Sequence, residues 1–309
     1  MKFKFVKDLV RAQPDPFMCE IPNGWAMYVT GGEGVGAYYC DTPFGQWEYK
    51  GIVCEKEGYR EYWAPCMYYE DGWYYLYVSC REKGAEDAKE YLYVAKASTP
   101  FGPFNDLKCL CDCFSIDPHV VRTDEGLYLW YCMDRVDTDR VGTRIFVQKM
   151  EGPMTLTGEP VEMVKPSFDE EIFMRDRFQP GQDWHTIEGP FWLQVDGWQY
   201  VMYSGACYQN TTYHIGYAAA KSTEPDLTKV TFEKHTDNGR FVPLMTKNDV
   251  EEGVGHHSVI YYEGQYYAVY HARDYDSLLT GDQRTARVCK LYFNDGVITT
   301  EKCKEQSLI

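Results

Sequence analysis

No stretch of this 309-residue chain reaches 18 consecutive apolar residues, so no membrane-spanning helix is expected. The opening residues, Met1-Lys2-Phe3-Lys4-Phe5-Val6-Lys7-Asp8, are broken by charge and lack the apolar core of a secretory leader. The 12 cysteines include no Cys-x-x-Cys pair and are expected to be reduced, in a cytoplasm. Cys109, Cys111 and Cys113 form the one tight group. Tight spacing alone does not make a metal site, and small core-like thiols are the expectation. Basic charge is also scarce, with 31 Lys and Arg against 47 Asp and Glu and a net charge of −16. Without a basic stripe, nucleic acid is excluded as a partner, and an anionic membrane surface is disfavoured for the same reason.

Aromatic residues are what the chain has in excess: 27 Tyr, 15 Phe and 8 Trp, or 16%. Such rings favour strands, and their faces also suit sugar rings. One pattern recurs, a polar residue, then Gly, then an aromatic-rich run. It begins at Asn23-Gly24-Trp25, Asp71-Gly72-Trp73, Glu125-Gly126-Leu127, Asp196-Gly197-Trp198 and Glu263-Gly264-Gln265. Each reads as a hairpin turn feeding a strand. A second beat follows: residues 91–102 echo 37–45, residues 215–223 are a looser copy, and 144–149 and 287–293 fill the remaining places. Five units of about four strands predict an all-β chain folded as a five-bladed β-propeller, one catalytic domain over residues 1–309.

Counting back from the glycines gives a second regularity. Nine residues before the first four stand Asp15, Trp63, Asp117 and Glu188, and eight before the fifth stands His256. On the innermost strands of a propeller, equivalent positions face the central channel. Singly, Asp15-Pro16, Asp117-Pro118 and Glu188-Gly189-Pro190 are what ordinary turns supply. In common register they gather three acids at one place, which is costly unless chemistry needs them. Two acids flanking a glycosidic bond are the minimum for its hydrolysis, and a third can hold up the pKa of the proton donor.

Six segments together resemble glycoside hydrolase family 43. They are Asp15-Pro16-Phe17, Tyr62-Trp63-Ala64-Pro65, Ser115-Ile116-Asp117-Pro118, Ile187-Glu188-Gly189-Pro190-Phe191, Gly255-His256-His257-Ser258-Val259 and Tyr270-His271-Ala272-Arg273. The resemblance implies an inverting, exo-acting enzyme on arabinose- or xylose-containing glycans, with a small oligosaccharide as substrate. It implies Asp15 as general base, Glu188 as general acid and Asp117 as the acid that tunes and orients Glu188. It implies Trp63 as a wall for the sugar, with His271 also at the substrate. His256 would hold one Ca²⁺ or Na⁺ in the channel, mostly through waters, and no organic cofactor is implied. An arginine of the last blade should reach the sugar; Arg287 is chosen, with Arg273 and Arg284 as rivals. Two departures are Cys66, where many members have an acid, and His257, where Asn is frequent.

Residues 160–184 form a long connection just before Glu188 and are expected to help wall the pocket. The chain ends at Ile309 without the C-terminal β-sandwich of many xylosidases of the family, which tilts the expectation toward arabinose. A non-catalytic glycan-binding propeller, a propeller fructosidase and a mannoside phosphorylase are the competing readings. Oligomeric state is not legible in this sequence.

Overall fold

The computed structural model describes residues 12–85, 89–275 and 283–301; the opening segment 1–8 lies outside the described residues. The first sheet pairs β1 (Phe17–Ile21), β2 (Gly24–Val29), β3 (Val35–Cys40) and β4 (Glu48–Cys54) in chain order, all antiparallel. The second repeats this with β5 (Tyr59–Glu70), β6 (Trp73–Glu82), β7 (Tyr91–Ala97) and β8 (Lys108–Cys109). A third meander follows, of β9 (Ile116–Thr123), β10 (Gly126–Arg135), β11 (Gly142–Gly152) and β12 (Thr155–Val164). After the short β13 (Ile172–Met174) comes a fourth, of β14 (Trp184–Val195), β15 (Trp198–Gly205), β16 (His214–Lys221) and β17 (Glu233–Lys234). A two-residue parallel bridge between β11 and β14 makes these last two meanders one nine-stranded sheet. The hairpin β18 (Thr236–Asp237) and β19 (Arg240–Phe241) precedes the last meander, β20 (Glu251–Tyr262), β21 (Gln265–Asp274), β22 (Thr285–Asn294) and β23 (Val297–Thr300). No α-helix occurs among the described residues, so the expected all-β class is the one observed.

The inner strands are apolar on both faces because each meander is covered on both sides, which removes the usual polar alternation, while outer strands such as β4 and β12 keep exposed positions. In β2, Ala26 and Tyr28 enter a core shared with the second meander, while Trp25, Met27 and Val29 enter a core shared with the last. In β10, Tyr128 and Trp130 face the fourth meander, and Leu127, Leu129 and Tyr131 face the second. A fifth core joins the fourth meander to the last through Tyr200, Met202, Val254 and Tyr270. The first strands also touch in turn, β1 with β5, β5 with β9, β9 with β14, β14 with β20, and β20 with β1. The Ser258 hydroxyl on β20 donates to Pro16 O at 2.9 Å and accepts from Met18 N at 3.0 Å, and Gln13 N donates to Arg284 O at 2.7 Å.

Three of the five glycine-led hairpins have both central residues at positive φ, the twist that suits a two-residue turn: Asp71-Gly72, Asp196-Gly197 and Glu263-Gly264. A second set of positive-φ residues lies just before or within the first strands: Asp15, Ala64, Asp117, Gly189 and His256. Pairing register slips beside the last four, so these strands bulge where they approach one another.

That set corrects the expected alignment. Asp15, Asp117 and His256 are structurally equivalent, but their partners in the second and fourth meanders are Ala64 and Gly189. Trp63 and Glu188 stand one residue earlier. All five equivalent residues lie seven residues before the first residue of their two-residue turn. The glycine is the second turn residue at Gly72, Gly197 and Gly264 but the first residue of the next strand at Gly24 and Gly126, so an offset counted from the glycine slips by one.

Candidate active site

Beneath the bulges the first strands enclose a cavity of about 20 Å³ lined by Pro16, Pro65, Pro118, Pro190, Phe191 and His257 among others. Above them opens a pocket of about 290 Å³ whose walls include Asp15, Trp63, Asp117, Glu188, His256 and Arg284. All three acids expected from the sequence therefore meet in one pocket, with Trp63 beside them.

Asp15 is 8% exposed. Its Oδ1 lies 3.3 Å from Arg284 Nη1, 3.4 Å from His256 Nδ1 and 3.2 Å from His271 Nδ1. The Thr30 hydroxyl donates to its Oδ2 at 2.6 Å. Burial alone would raise its pKa, but His256, Arg284 and His271 outweigh it and hold the carboxyl far below the ordinary range. Burial keeps both imidazoles neutral near pH 7, with His271 pushed down to about 4. Arg284 is therefore the standing charge that keeps Asp15 ionised.

Glu188 is the opposite case. Burial first, then the charge of Asp15, raise it from 4.5 to about 7, against the Tyr213 hydroxyl, which donates to Oε1 at 2.7 Å, and against Arg284. Asp117, 5% exposed, is pushed well above its usual value by burial, by Glu188 and by Asp15. Its Oδ2 accepts from Gly189 N at 2.9 Å, so it grips the backbone next to Glu188. The Asp117–Glu188 pair thus retains a proton at neutral pH while Asp15 carries a charge.

Two expected substrate contacts do not reach the pocket. Arg287 is 2% exposed and pairs with Glu251 and Asp274, both at 2.9 Å. It lies inside β22, where its side chain is committed to the sheet, whereas Arg284 stands at the strand's mouth. The rival Arg273 donates to the backbone carbonyls of Tyr208 and Gln209 and is equally structural. His271 is fully buried, stacked on Tyr213, and its Nδ1 accepts from Asp15 N at 3.2 Å. The same contact recurs elsewhere: Thr30 Oγ1 accepts from Ala64 N, and Ser204 Oγ from His256 N, both at 2.7 Å. A polar residue near the end of each of these second strands clamps the bulge of the next meander. His271 is that clamp for Asp15.

The expected ion does not fit. Calcium takes six to eight oxygens. The channel cavity has room for about one water; its lining includes four prolines, Phe17, Phe191 and three histidines, with Asp15 and Asp117 its only carboxylates, and both His257 nitrogens are buried without a hydrogen-bond partner. Among the described residues no group of three His, Cys, Asp or Glu is placed to hold a metal, and this includes Cys109, Cys111 and Cys113. A water that hydrogen-bonds the imidazoles suits the space; a hydrated Ca²⁺ or Na⁺ does not.

Several pocket residues had not been singled out in the sequence. The connection at 160–184 does supply wall residues, Phe173 and Arg177. Glu90 also lines the pocket, at 2% exposure; burial and Glu61 raise it to about 7 against Arg81, whose Nε lies 3.4 Å away. Tyr213 and Thr30 carry hydrogen bonds to the acids. Only the clamp pattern that contains Thr30 had a signal in the sequence, a polar residue closing each second apolar run.

The profile described as "Glycosyl hydrolases family 43" matches residues 11–298. The chain is similar to the extracellular exo-alpha-(1->5)-L-arabinofuranosidase ArbA of Cellvibrio japonicus, with 27% identity over 84% of this chain and 78% of that protein. An extracellular exo-alpha-(1->5)-L-arabinofuranosidase of Streptomyces avermitilis is 23% identical over 75% of this chain and 48% of its own length. The solved structure of a thermostable family-43 glycoside hydrolase superposes with a TM-score of 0.77, at 27% identity over 94% of this chain and 93% of that one. The word extracellular in both relatives' names overturns the cytoplasmic expectation and points to secretion. The number of cysteines says little about compartment: Cys66, Cys80 and Cys111 are buried, with each thiol lifted to about 12, while Cys109 and Cys113 are exposed.

Proposed function

The chain belongs to glycosyl hydrolase family 43 and is a glycosidase that hydrolyses O-glycosyl bonds; from that premise we propose that it releases arabinose or xylose from the end of small oligosaccharides by a single inverting displacement. Asp15, ionised, takes the proton from a water that attacks the anomeric carbon. Glu188, kept protonated by burial and by the charge of Asp15, gives its proton to the leaving oxygen, and Asp117 orients it through the hydrogen bond from Gly189 N. Trp63 packs on the sugar, and Arg284 sets the charge of the base. The observation that carries the reading is the opposite tuning of two carboxyls in one pocket, Asp15 held ionised and Glu188 held protonated up to about pH 7.

The architecture proposed with it is a single catalytic domain, a five-bladed propeller. The supporting observations are the cyclic contacts of the first strands, the core shared by each neighbouring pair of meanders, and the five positive-φ residues gathered above one cavity.

The test is turnover of p-nitrophenyl α-L-arabinofuranoside, β-D-xyloside, β-D-galactoside and β-D-fructofuranoside by wild type and Glu188→Gln. NMR identifies the first anomer released. Inverted product from the arabinoside or xyloside, lost in the variant, is expected. A retained anomer would make Asp15 a nucleophile, and turnover of the fructoside alone would move the substrate class.

A further inference from the structure

The pocket wall carries four acids and two arginines. Arg284 is committed to Asp15 and stacks over the Tyr208 ring at 4.4 Å. Arg177 has no ion pair among the described residues. Instead its guanidinium lies 4.9 Å from each of three rings, Phe173, Phe178 and Trp184. Phe178 and Trp184 meet edge to face at 5.2 Å, so the seat is itself packed. Cation–π contacts of this kind hold a guanidinium in place without neutralising it. The neighbouring Arg175, two residues away, is paired with Asp183 at 2.7 Å, so the loop does supply counter-charges and leaves Arg177 without one. Asp134, a carboxyl that feels Arg177, already accepts from the Thr143 hydroxyl at 2.9 Å, and burial shifts it toward its neutral form.

We propose that Arg177 makes this pocket selective for glycans that carry a carboxylate, a uronic acid, beside the pentose that is released. The inference rests on the glycosidase reading of the pocket. A guanidinium presents paired N–H donors that match a carboxylate in two parallel hydrogen bonds, which a neutral sugar cannot form. The rest of the chain, at a net charge of −16, repels an acidic glycan. The seated cation is therefore what admits it, and it does so at the mouth, since Arg177 is exposed while the reacting acids are not.

The experiment compares arabinosyl and xylosyl disaccharides of galacturonic acid with their primary amides, which keep the shape and lose the charge. Wild type is expected to favour the acids in kcat/KM by about tenfold at low salt, with the preference shrinking as salt shortens the Debye length to about 3 Å near 1 M. Arg177→Met, which keeps an apolar stem for the rings, should bring the acid-to-amide ratio to about one, and Arg177→Lys should keep part of it. A wild-type ratio of one or less, or a ratio unchanged in Arg177→Met, overturns the proposal. If Arg177→Met loosens the loop, seen as a lowered Tm, the Lys variant and the wild-type salt series decide. Absence of turnover of every amide and every aryl pentoside would refute the glycosidase reading instead. Calorimetric binding of the same acid and amide pairs would then test Arg177 independently.

Discussion

Replacing Lys234 with Met should unfasten the wall of the pocket. Glu171, in the 160–184 connection, is completely buried. Its Oε2 accepts from Ser167 N at 2.7 Å and Phe168 N at 3.1 Å, and its Oε1 from Lys234 Nζ at 2.5 Å and the Tyr203 hydroxyl at 3.3 Å. Lys234 is the only cation in that set, and burial lowers its own pKa to about 8. Removing it leaves a carboxylate with three neutral donors and no counter-charge in a buried site. Breaking one side of a buried pair costs roughly 3–5 kcal/mol. At roughly 2–4 °C per kcal/mol, Tm should fall by roughly 6–20 °C. Calorimetry at pH 7 reads the effect. The double variant Glu171→Gln/Lys234→Met removes both charges and should recover most of the loss, because the cost lies in the unpaired charge and not in the missing contact. A loss below about 1 kcal/mol for the single variant, or a double variant no better than the single, would refute the reasoning.

The pH profile of kcat/KM should fall above about pH 7 as Glu188 loses its proton, with no acid limb from Asp15 in the working range; a rise through pH 7 would contradict the assignment. The raised Glu188 also binds its proton more tightly folded than unfolded, so it costs stability as pH climbs from 4.5 past 7, and Glu188→Gln should be more stable than wild type at pH 8 by on the order of 3 kcal/mol in urea unfolding. Arg284→Met should cut kcat/KM on aryl glycosides roughly 10²-fold and bring the ionisation of Asp15 into the observed pH range. Arg287→Met, by contrast, strands the buried Glu251 and should show its main effect as a Tm drop of similar origin to that of Lys234→Met. Dialysis against EDTA should leave both rate and Tm unchanged, since the channel admits about one water; a loss restored by Ca²⁺ would show that the cavity opens to take the ion.

Much of this was legible because the turns and the bulges use residues with few conformational alternatives. Polar-Gly pairs announced β2, β6, β10, β15 and β21, and the X-Pro dipeptides at 15–16, 117–118 and 189–190 marked places where the chain leaves a regular strand. What sequence could not supply was the place of each glycine, inside the turn in three hairpins and at the start of the next strand in two, so an offset counted from it sets Trp63 and Glu188 one position off from their structural counterparts. Choosing among Arg273, Arg284 and Arg287 required knowing which lies at a strand's mouth and which within the sheet, a difference that composition does not carry. The resemblance of Tyr270-His271-Ala272-Arg273 sets His271 at the substrate, and only the repeat of the Thr30 and Ser204 clamps explains why it faces a backbone amide. The partners of Glu171 lie on three different elements, and nothing local hints that they converge.

The environment of Asp15 also has a consequence for the order of events during synthesis. Its clamp on His271 spans 256 positions along the chain and its counter-charge on Arg284 spans 269. The first catalytic acid to leave the ribosome is thus the last to become competent, since its ionisation is set by residues made at the far end of the message. Every other acid of the pocket must already be waiting in a half-built fold, with apolar edges open, until that segment arrives. Loop closure over such separations is slow. A nascent or truncated chain lacking residues 251–287 should therefore carry all three acids and still have no base.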